Sequence, residues 1–197
     1  MKQKFEEPVR KDYVKGHSHL ETTTYFPLPG KRYGINVQTQ VEFLVPKSRM
    51  GVRVIVHLDD QTRIQVATAD LVHNPVLKTP FSQIPSVATT HYTEKAIEMQ
   101  RIKQELHKES LPFLFLCDCN MQDAIAAYAQ LATFAKDSFR EVGWGFGNTV
   151  DARTILNNRL DYIWHSDKFV AITATTGPDG QSDHLPVVAE FFYRKEL

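Results

Sequence analysis

Polar residues with chemistry to offer stand at the ends of, or inside, apolar runs of this sequence, and they do so four times. Asp118 and Asn120 follow the run Leu111 to Leu116. Asp161 interrupts Leu160-Asp161-Tyr162-Ile163-Trp164. His73 closes a strand-like run before Asn74-Pro75, and Asp183-His184 stands between Ser182 and Leu185-Pro186. Alternation along an extended chain puts Asp118 and Asn120 on one side, with Cys119 between them pointing the other way. Carboxylate oxygens suit a hard divalent cation, and an imidazole carries a proton near neutral pH. The plainer reading of Asp118 or Asn120 is a cap on a helix beginning near Met121. Asp161 resists a plain reading, because a carboxylate inside an apolar strand is costly unless paired.

The elements that must position these residues follow from periodicity. Leu111 to Leu116 is short, continuous and rich in Phe, so it reads as a strand buried on both faces. Phe5, Val9 and Tyr13 mark an amphipathic helix over residues 1 to 16, ended by Gly16. His17 to Gly34, with Pro27, Pro29 and Gly30, reads as a loop or an irregular edge strand. Strand alternation runs from Ile35 to Val45, and Val52 to Leu58 with Arg63 to Val72 reads as a hairpin turning at Asp59-Asp60. The loop from Asn74 to about Thr90 is long enough to border a site. A helix then places Ala96, Met99, Ile102 and Leu106 inward and Glu94, Glu98, Arg101 and Lys108 outward. Ala124 to Ala135 reads as a second helix, and Phe169 to Thr175 and Leu185 to Tyr193 as closing strands. The glycine-rich stretch Gly143 to Thr149 lacks the Lys and the strand-to-helix setting of a nucleotide phosphate loop, so it reads as a turn cluster.

Length and charge bound what these elements build. The 197 residues, 42% of them hydrophobic, suit one domain spanning 1–197. Lys plus Arg and Asp plus Glu both number 23, so no overall field draws the chain to nucleic acid or anionic lipid. Cys117 and Cys119 read as free buried thiols, which favours a reducing, cytoplasmic setting. No apolar run is long enough for a membrane span, and the first residues resemble no secretory signal, so the chain reads as soluble.

Three of these clusters, taken in order, resemble the motifs of the endonuclease/exonuclease/phosphatase (DNase I-like) superfamily. Cys117-Asp118-Cys119-Asn120 is similar to its Gly-Asp-Phe-Asn motif, and Arg159-Leu160-Asp161-Tyr162-Ile163 to its Arg-hydrophobic-Asp-Tyr-hydrophobic motif. Ser182-Asp183-His184-Leu185-Pro186 matches its Ser-Asp-His-hydrophobic-Pro motif. His73 is similar to the strand-end His of the DNase I-like members. The glycine-rich turn and the Pro-rich loop most resemble a bacterial group often fused to membrane helices, which leaves room for a membrane tether upstream of Met1. The resemblance implies an α/β (α+β) fold, a two-layer β-sandwich of mixed sheets flanked by helices.

It also implies a divalent-metal-dependent phosphoester hydrolase acting by in-line attack of water, with Mg²⁺ or Mn²⁺ as cofactor. His184 would be the base or phosphate-facing group and Asp161 would fix its tautomer. Asp118 would orient the water, Asn120 would donate to a phosphate oxygen, Asp183 would help hold the metal, and His73 would serve the leaving group; Arg159 reads as structural. Cys117 and Cys119 depart from the usual Gly and Phe. The superfamily's first two strands, ending in Asn and in Gln-Glu, have no counterpart, and Glu6 and Glu7 follow no apolar strand. The chain therefore resembles an N-terminally truncated member whose exposed sheet edges invite self-association. The implied partner is a phosphorylated substrate, nucleic acid included, although zero net charge argues mildly against DNA. The alternative from another class is a non-catalytic remnant that binds phosphorylated ligands or a protein. A transition-metal site of Cys117, Cys119 and His184 is a weaker third reading.

Overall fold

The computed structural model describes residues 19–28, 31–40, 51–58, 61–73, 79–150, 159–178 and 182–194, the first two segments as backbone strands. The expected helix over residues 1 to 16, the Asp59-Asp60 turn and residues 74–78 of the Pro-rich loop lie outside them; the rest of that expected loop is a 3-10 turn at Phe81–Gln83 leading straight into a helix from Ile84. Strands β1 (His19–Leu28), β2 (Lys31–Gln40), β3 (Val52–His57) and β4 (Arg63–Asp70) form an antiparallel meander. β5 (Phe113–Asp118) joins β4 in parallel, and β7 (Asp161–His165) joins β5 antiparallel. The short β6 (Lys136–Asp137) completes a mixed seven-stranded sheet in the order β1-β2-β3-β4-β5-β7-β6. β8 (Phe169–Thr176) and β9 (Val187–Tyr193) make a separate two-stranded antiparallel ribbon. Among the described residues three α-helices accompany them: α1 (Ile84–His107), α2 (Ala126–Leu131) and α3 (Ser138–Val142). The observed class is the expected mixed α/β one.

The crossover from β4 through α1 to β5 builds the core. A parallel pair needs such a connection, and the helix covers one face of the sheet. Alternation along β5 buries Phe113, Phe115 and Cys117 on that face, with Ala67 and Ala69 of β4, Tyr162 and Trp164 of β7, and Met99, Ile102 and Leu106 of α1. Leu114 and Leu116 on the opposite face are only half buried, so β5 is covered fully on one side rather than on both. The ribbon covers part of that opposite face, where Phe191 packs edge-on to His165 at 5.1 Å between ring centroids.

Several expectations are corrected. His19 to Leu28 takes the edge-strand alternative rather than the loop, and the strand is regular over ten residues; a sheet edge is the position that tolerates a residue such as Pro27. No helix starts at Met121: α2 begins at Ala126 and is only six residues long. In α1 the inward stripe is His91, Lys95, Glu98, Met99, Ile102 and Leu106, so Glu98 is buried and Ala96 is exposed. Cys117 and Cys119 are joined as a disulfide rather than free. Two residues of ideal strand would hold their Cα atoms about 6.6 Å apart. The backbone bends at Asp118, where β5 ends, and the Cα separation falls to 4.9 Å, within the disulfide range. The thiol argument for a reducing compartment therefore falls. No helix among the described residues is long and apolar enough to cross a membrane.

Candidate active site at the strand ends

Asp118 ends β5 and Asp161 begins β7, and the two are direct partners in the antiparallel register. Both side chains lie on the face opposite α1, because the intervening parity is taken by the core residues Cys117 and Tyr162. His184 arrives from the segment before β9, held by a backbone bridge to Val150. Its Nδ1 is 2.8 Å from Asp161 Oδ2 and 3.9 Å from Asp118 Oδ2. A carboxylate can only accept, so Nδ1–H donates to Asp161 and the lone pair of neutral His184 resides on Nε2. Asp118 also accepts the backbone N–H of Asn120 at 3.1 Å. Burial, then the charge of Asp161, pushes the Asp118 carboxyl above its usual range.

A second cluster adjoins the first at the ends of β4 and β5. Asn120 Nδ2 donates to Leu71 O at 3.0 Å and to Asp70 Oδ1 at 3.3 Å, which orients the amide so that Oδ1 accepts from His73 Nδ1 at 3.0 Å. His73 is exposed, and this hydrogen bond leaves its Nε2 as the acceptor. The positive φ that Asn120 adopts is one that Asn tolerates better than most side chains. Asp183 is exposed and stands outside the group formed by Asp118, Asp161 and His184.

The ligand atoms of Asp118, Asp161 and His184 lie within 4.8 Å of one another. Two carboxylates this close together fit a hard divalent cation, which commonly takes one or two protein carboxylates and keeps several waters. A cavity of about 1100 Å³, lined by Arg63, His107, Pro112, Lys168 and Arg194 among others, opens at the opposite end of the sheet and adjoins none of these groups.

Three supporting residues escaped the sequence reading. Lys95 is fully buried on the far face of the sheet; its ammonium donates to Cys119 O at 2.7 Å and lies 3.5 Å from Glu98 Oε2. Glu98 in turn accepts Val72 N–H at 3.1 and 3.4 Å. The pair thus ties α1 to the two chain segments that carry Asn120 and His73. Burial lowers the Lys95 pKa and raises that of Glu98, each partly offset by the other's charge. Thr149, wholly buried, accepts the N–H groups of Leu160 and Asp161 on Oγ1 at 3.0 and 3.1 Å, and its carbonyl accepts Leu185 N–H at 2.6 Å. Its only sequence signal was its place at the end of the glycine-rich stretch. Arg159 grips Asp137 with both terminal nitrogens, at 3.2 and 2.6 Å, and lies 4.6 Å from the centroid of the Tyr162 ring, so it fixes the approach to Asp161 from below.

Helix-covered mixed sheet, short ribbon on the other face and acidic strand ends together define the DNase I-like α/β fold, that of endonuclease/exonuclease/phosphatase proteins. The chain superposes on an endonuclease/exonuclease/phosphatase family protein from Bacteroides thetaiotaomicron with TM-score 0.58 and 14% identity, over 76% of this chain and 59% of that one. A mannosyl-6-phosphatase from Bacteroides thetaiotaomicron VPI-5482 matches with TM-score 0.52 and 16% identity, over 75% of this chain and 60% of that one. The human Nocturnin catalytic domain, solved with a bound sulfate anion, matches with TM-score 0.56 and 13% identity, over 88% and 72%. The chain thus spans less than two thirds of the two bacterial structures. No protein-family model and no curated protein sequence matches it.

Proposed function

We propose that this chain is a phosphoester hydrolase domain whose working groups are Asp118, Asp161 and His184, with Asn120 and His73 beside them. The observation that carries the reading is the 2.8 Å contact of His184 Nδ1 with Asp161, which leaves the Nε2 lone pair for chemistry while Asp118 Oδ2 stands 3.9 Å from Nδ1. Held in that tautomer, His184 takes a proton from an attacking water or, once protonated, donates to a phosphoryl oxygen. Asp118 orients the water. Asn120 and His73 form the neighbouring wall, where His73 serves the leaving oxygen. Asp118 and the second oxygen of Asp161 would hold a divalent ion such as Mg²⁺ or Mn²⁺, which when bound supplies charge neutralisation at the phosphate. Asp183, being exposed, would reach that ion only through water or by loop movement. The fold shared with a phosphatase supports the same class of chemistry.

A second reading has one observation behind it. The chain spans 59% and 60% of the two bacterial structures, and three residues form its metal-capable group among those described. In that reading the site binds phosphorylated ligands without turning them over. Hydrolysis of bis-p-nitrophenyl phosphate, with Mg²⁺ or Mn²⁺ and with EDTA, separates the two. Metal-dependent turnover that His184→Ala and Asp118→Ala both abolish supports the hydrolase. Folded protein with no turnover above those variants rejects it and leaves the binding module.

A further inference from the structure

The stretch Gly143-Trp144-Gly145-Phe146-Gly147-Asn148-Thr149 alternates glycine with large aromatic residues, and the fold uses the two parts differently. A Cβ at Gly143 would lie 2.6 Å from Phe139 Cγ, and one at Gly147 would lie 2.6 Å from Phe139 Cε1. Both ends of the loop therefore close over the buried Phe139 ring, and only glycine fits there. Gly147 and Gly145, at φ of 66° and 88°, turn the backbone through the left-handed region, and Gly145 has open space around it. With Phe139 filling the hollow beneath the loop, the other two rings face water. Trp144 is 94% exposed and Phe146 81%. Only Phe81, at 90%, is comparable among the described large hydrophobic residues, and it stands just before α1.

The loop ends on the site. Thr149 carries the backbone of Asp161 and of Leu185, and the next residue, Val150, bridges to His184. Phe146 is three residues from Thr149, so their Cα atoms are at most about 11 Å apart. Among the described residues the charged neighbours are already committed: Arg140 to Asp123 at 2.6 Å, Glu141 to His165 at 2.8 Å and Arg159 to Asp137. Those described residues offer little basic rim to draw an anionic lipid surface, while exposed rings on a loop whose two ends pack on Phe139 suit a flat partner that needs no sequence-specific hydrogen bonds.

We propose that Trp144 and Phe146 form a stacking platform for a flat ring carried by the phosphate ester that the site takes, a nucleobase or an aryl group. This rests on the phosphoester reading of Asp118, Asp161 and His184, and it makes the two rings specificity-determining residues. The test titrates the 197-residue chain, in Mg²⁺ buffer, with inorganic phosphate, ribose 5-phosphate, AMP and phenyl phosphate. Emission from Trp144 is followed, and calorimetry gives the affinities; Trp164 is buried and supplies the background signal. Quenching by AMP, with AMP bound about 5- to 150-fold tighter than ribose 5-phosphate, supports the platform. Phenyl phosphate should exceed inorganic phosphate in the same sense, and the relative size of the two gains tells base from aryl group. In Trp144→Ala/Phe146→Ala both gains should vanish while affinity for inorganic phosphate stays within about twofold. Equal affinity for AMP and ribose 5-phosphate in the parent chain overturns the proposal and leaves the phosphoester reading intact. So does quenching by phosphatidylcholine–phosphatidylserine vesicles without quenching by AMP, which would assign the rings to a membrane. Folded protein that binds neither inorganic phosphate nor any of the esters overturns both.

Discussion

Replacing Lys95 by Met tests the buried pair beneath the site. Lys95→Met keeps much of the side-chain volume but removes the ammonium that donates to Cys119 O at 2.7 Å and faces Glu98 at 3.5 Å. Glu98, nearly as buried, keeps one donor, the Val72 N–H. Breaking a buried ion pair from one side typically costs about 3–5 kcal/mol. For a domain of this size that lowers Tm by about 6–20 °C, a large part of a total stability of roughly 5–15 kcal/mol. Lys95→Met/Glu98→Gln should cost less, about 1–3 kcal/mol, because the introduced side-chain amide still accepts from Val72 and only the Cys119 carbonyl loses its partner. A pH signature accompanies the single variant. The Glu98 carboxyl is already raised by burial and loses the cation that opposed the shift, so the folded state binds its proton more tightly than the unfolded state does. Stability then falls as pH rises from the ordinary Glu range through the raised folded value, the reverse of a salt-bridged carboxylate. Urea denaturation followed by far-UV circular dichroism at about pH 5 and pH 8, with m unchanged, reads all three quantities. A single-variant cost below about 1 kcal/mol, or a double variant as unstable as the sum of the two singles, would refute the coupled pair.

Three further outcomes follow from the geometry. Asp161→Asn should lower kcat for bis-p-nitrophenyl phosphate by about 10²–10⁴-fold with a smaller effect on KM, since an amide can donate as well as accept and no longer obliges His184 Nδ1 to carry the proton; unchanged kcat would remove Asp161 from the site. Asp118→Asn should abolish turnover yet raise Tm at about pH 8, because a carboxylate whose folded pKa is raised opposes folding once ionised, and the gain should shrink towards about pH 4. Gly147→Ala should destabilise more than Gly145→Ala in thermal melts: both meet a positive φ, but only the first drives a Cβ into Phe139.

The site was legible in the sequence for a physical reason, and the helix beneath it was not for a related one. Asp118, Asp161 and His184 interrupt or terminate apolar strands, where a polar residue is conspicuous and expensive, so each announced itself locally. Lys95 and Glu98 occupy the same helical stripe as Met99, Ile102 and Leu106, yet a charged residue on a helix ordinarily faces water, so periodicity alone sent Glu98 outward. What holds the two inside is the backbone of other segments, Cys119 O and Val72 N, and no reading of α1 by itself contains those groups. The disulfide failed in a similar way: the sequence reading assumed a pleated strand through Cys117 and Cys119, and the bend at Asp118 that ends β5 is not legible in that run alone. These misses share one location, the junction where β4, β5 and α1 meet under the site. A polar site at a strand end exposes carbonyls and N–H groups that the sheet no longer pairs, and something buried must satisfy them. Here Lys95 and Glu98 do so, which makes their burial a consequence of placing Asn120 and His73 where they are.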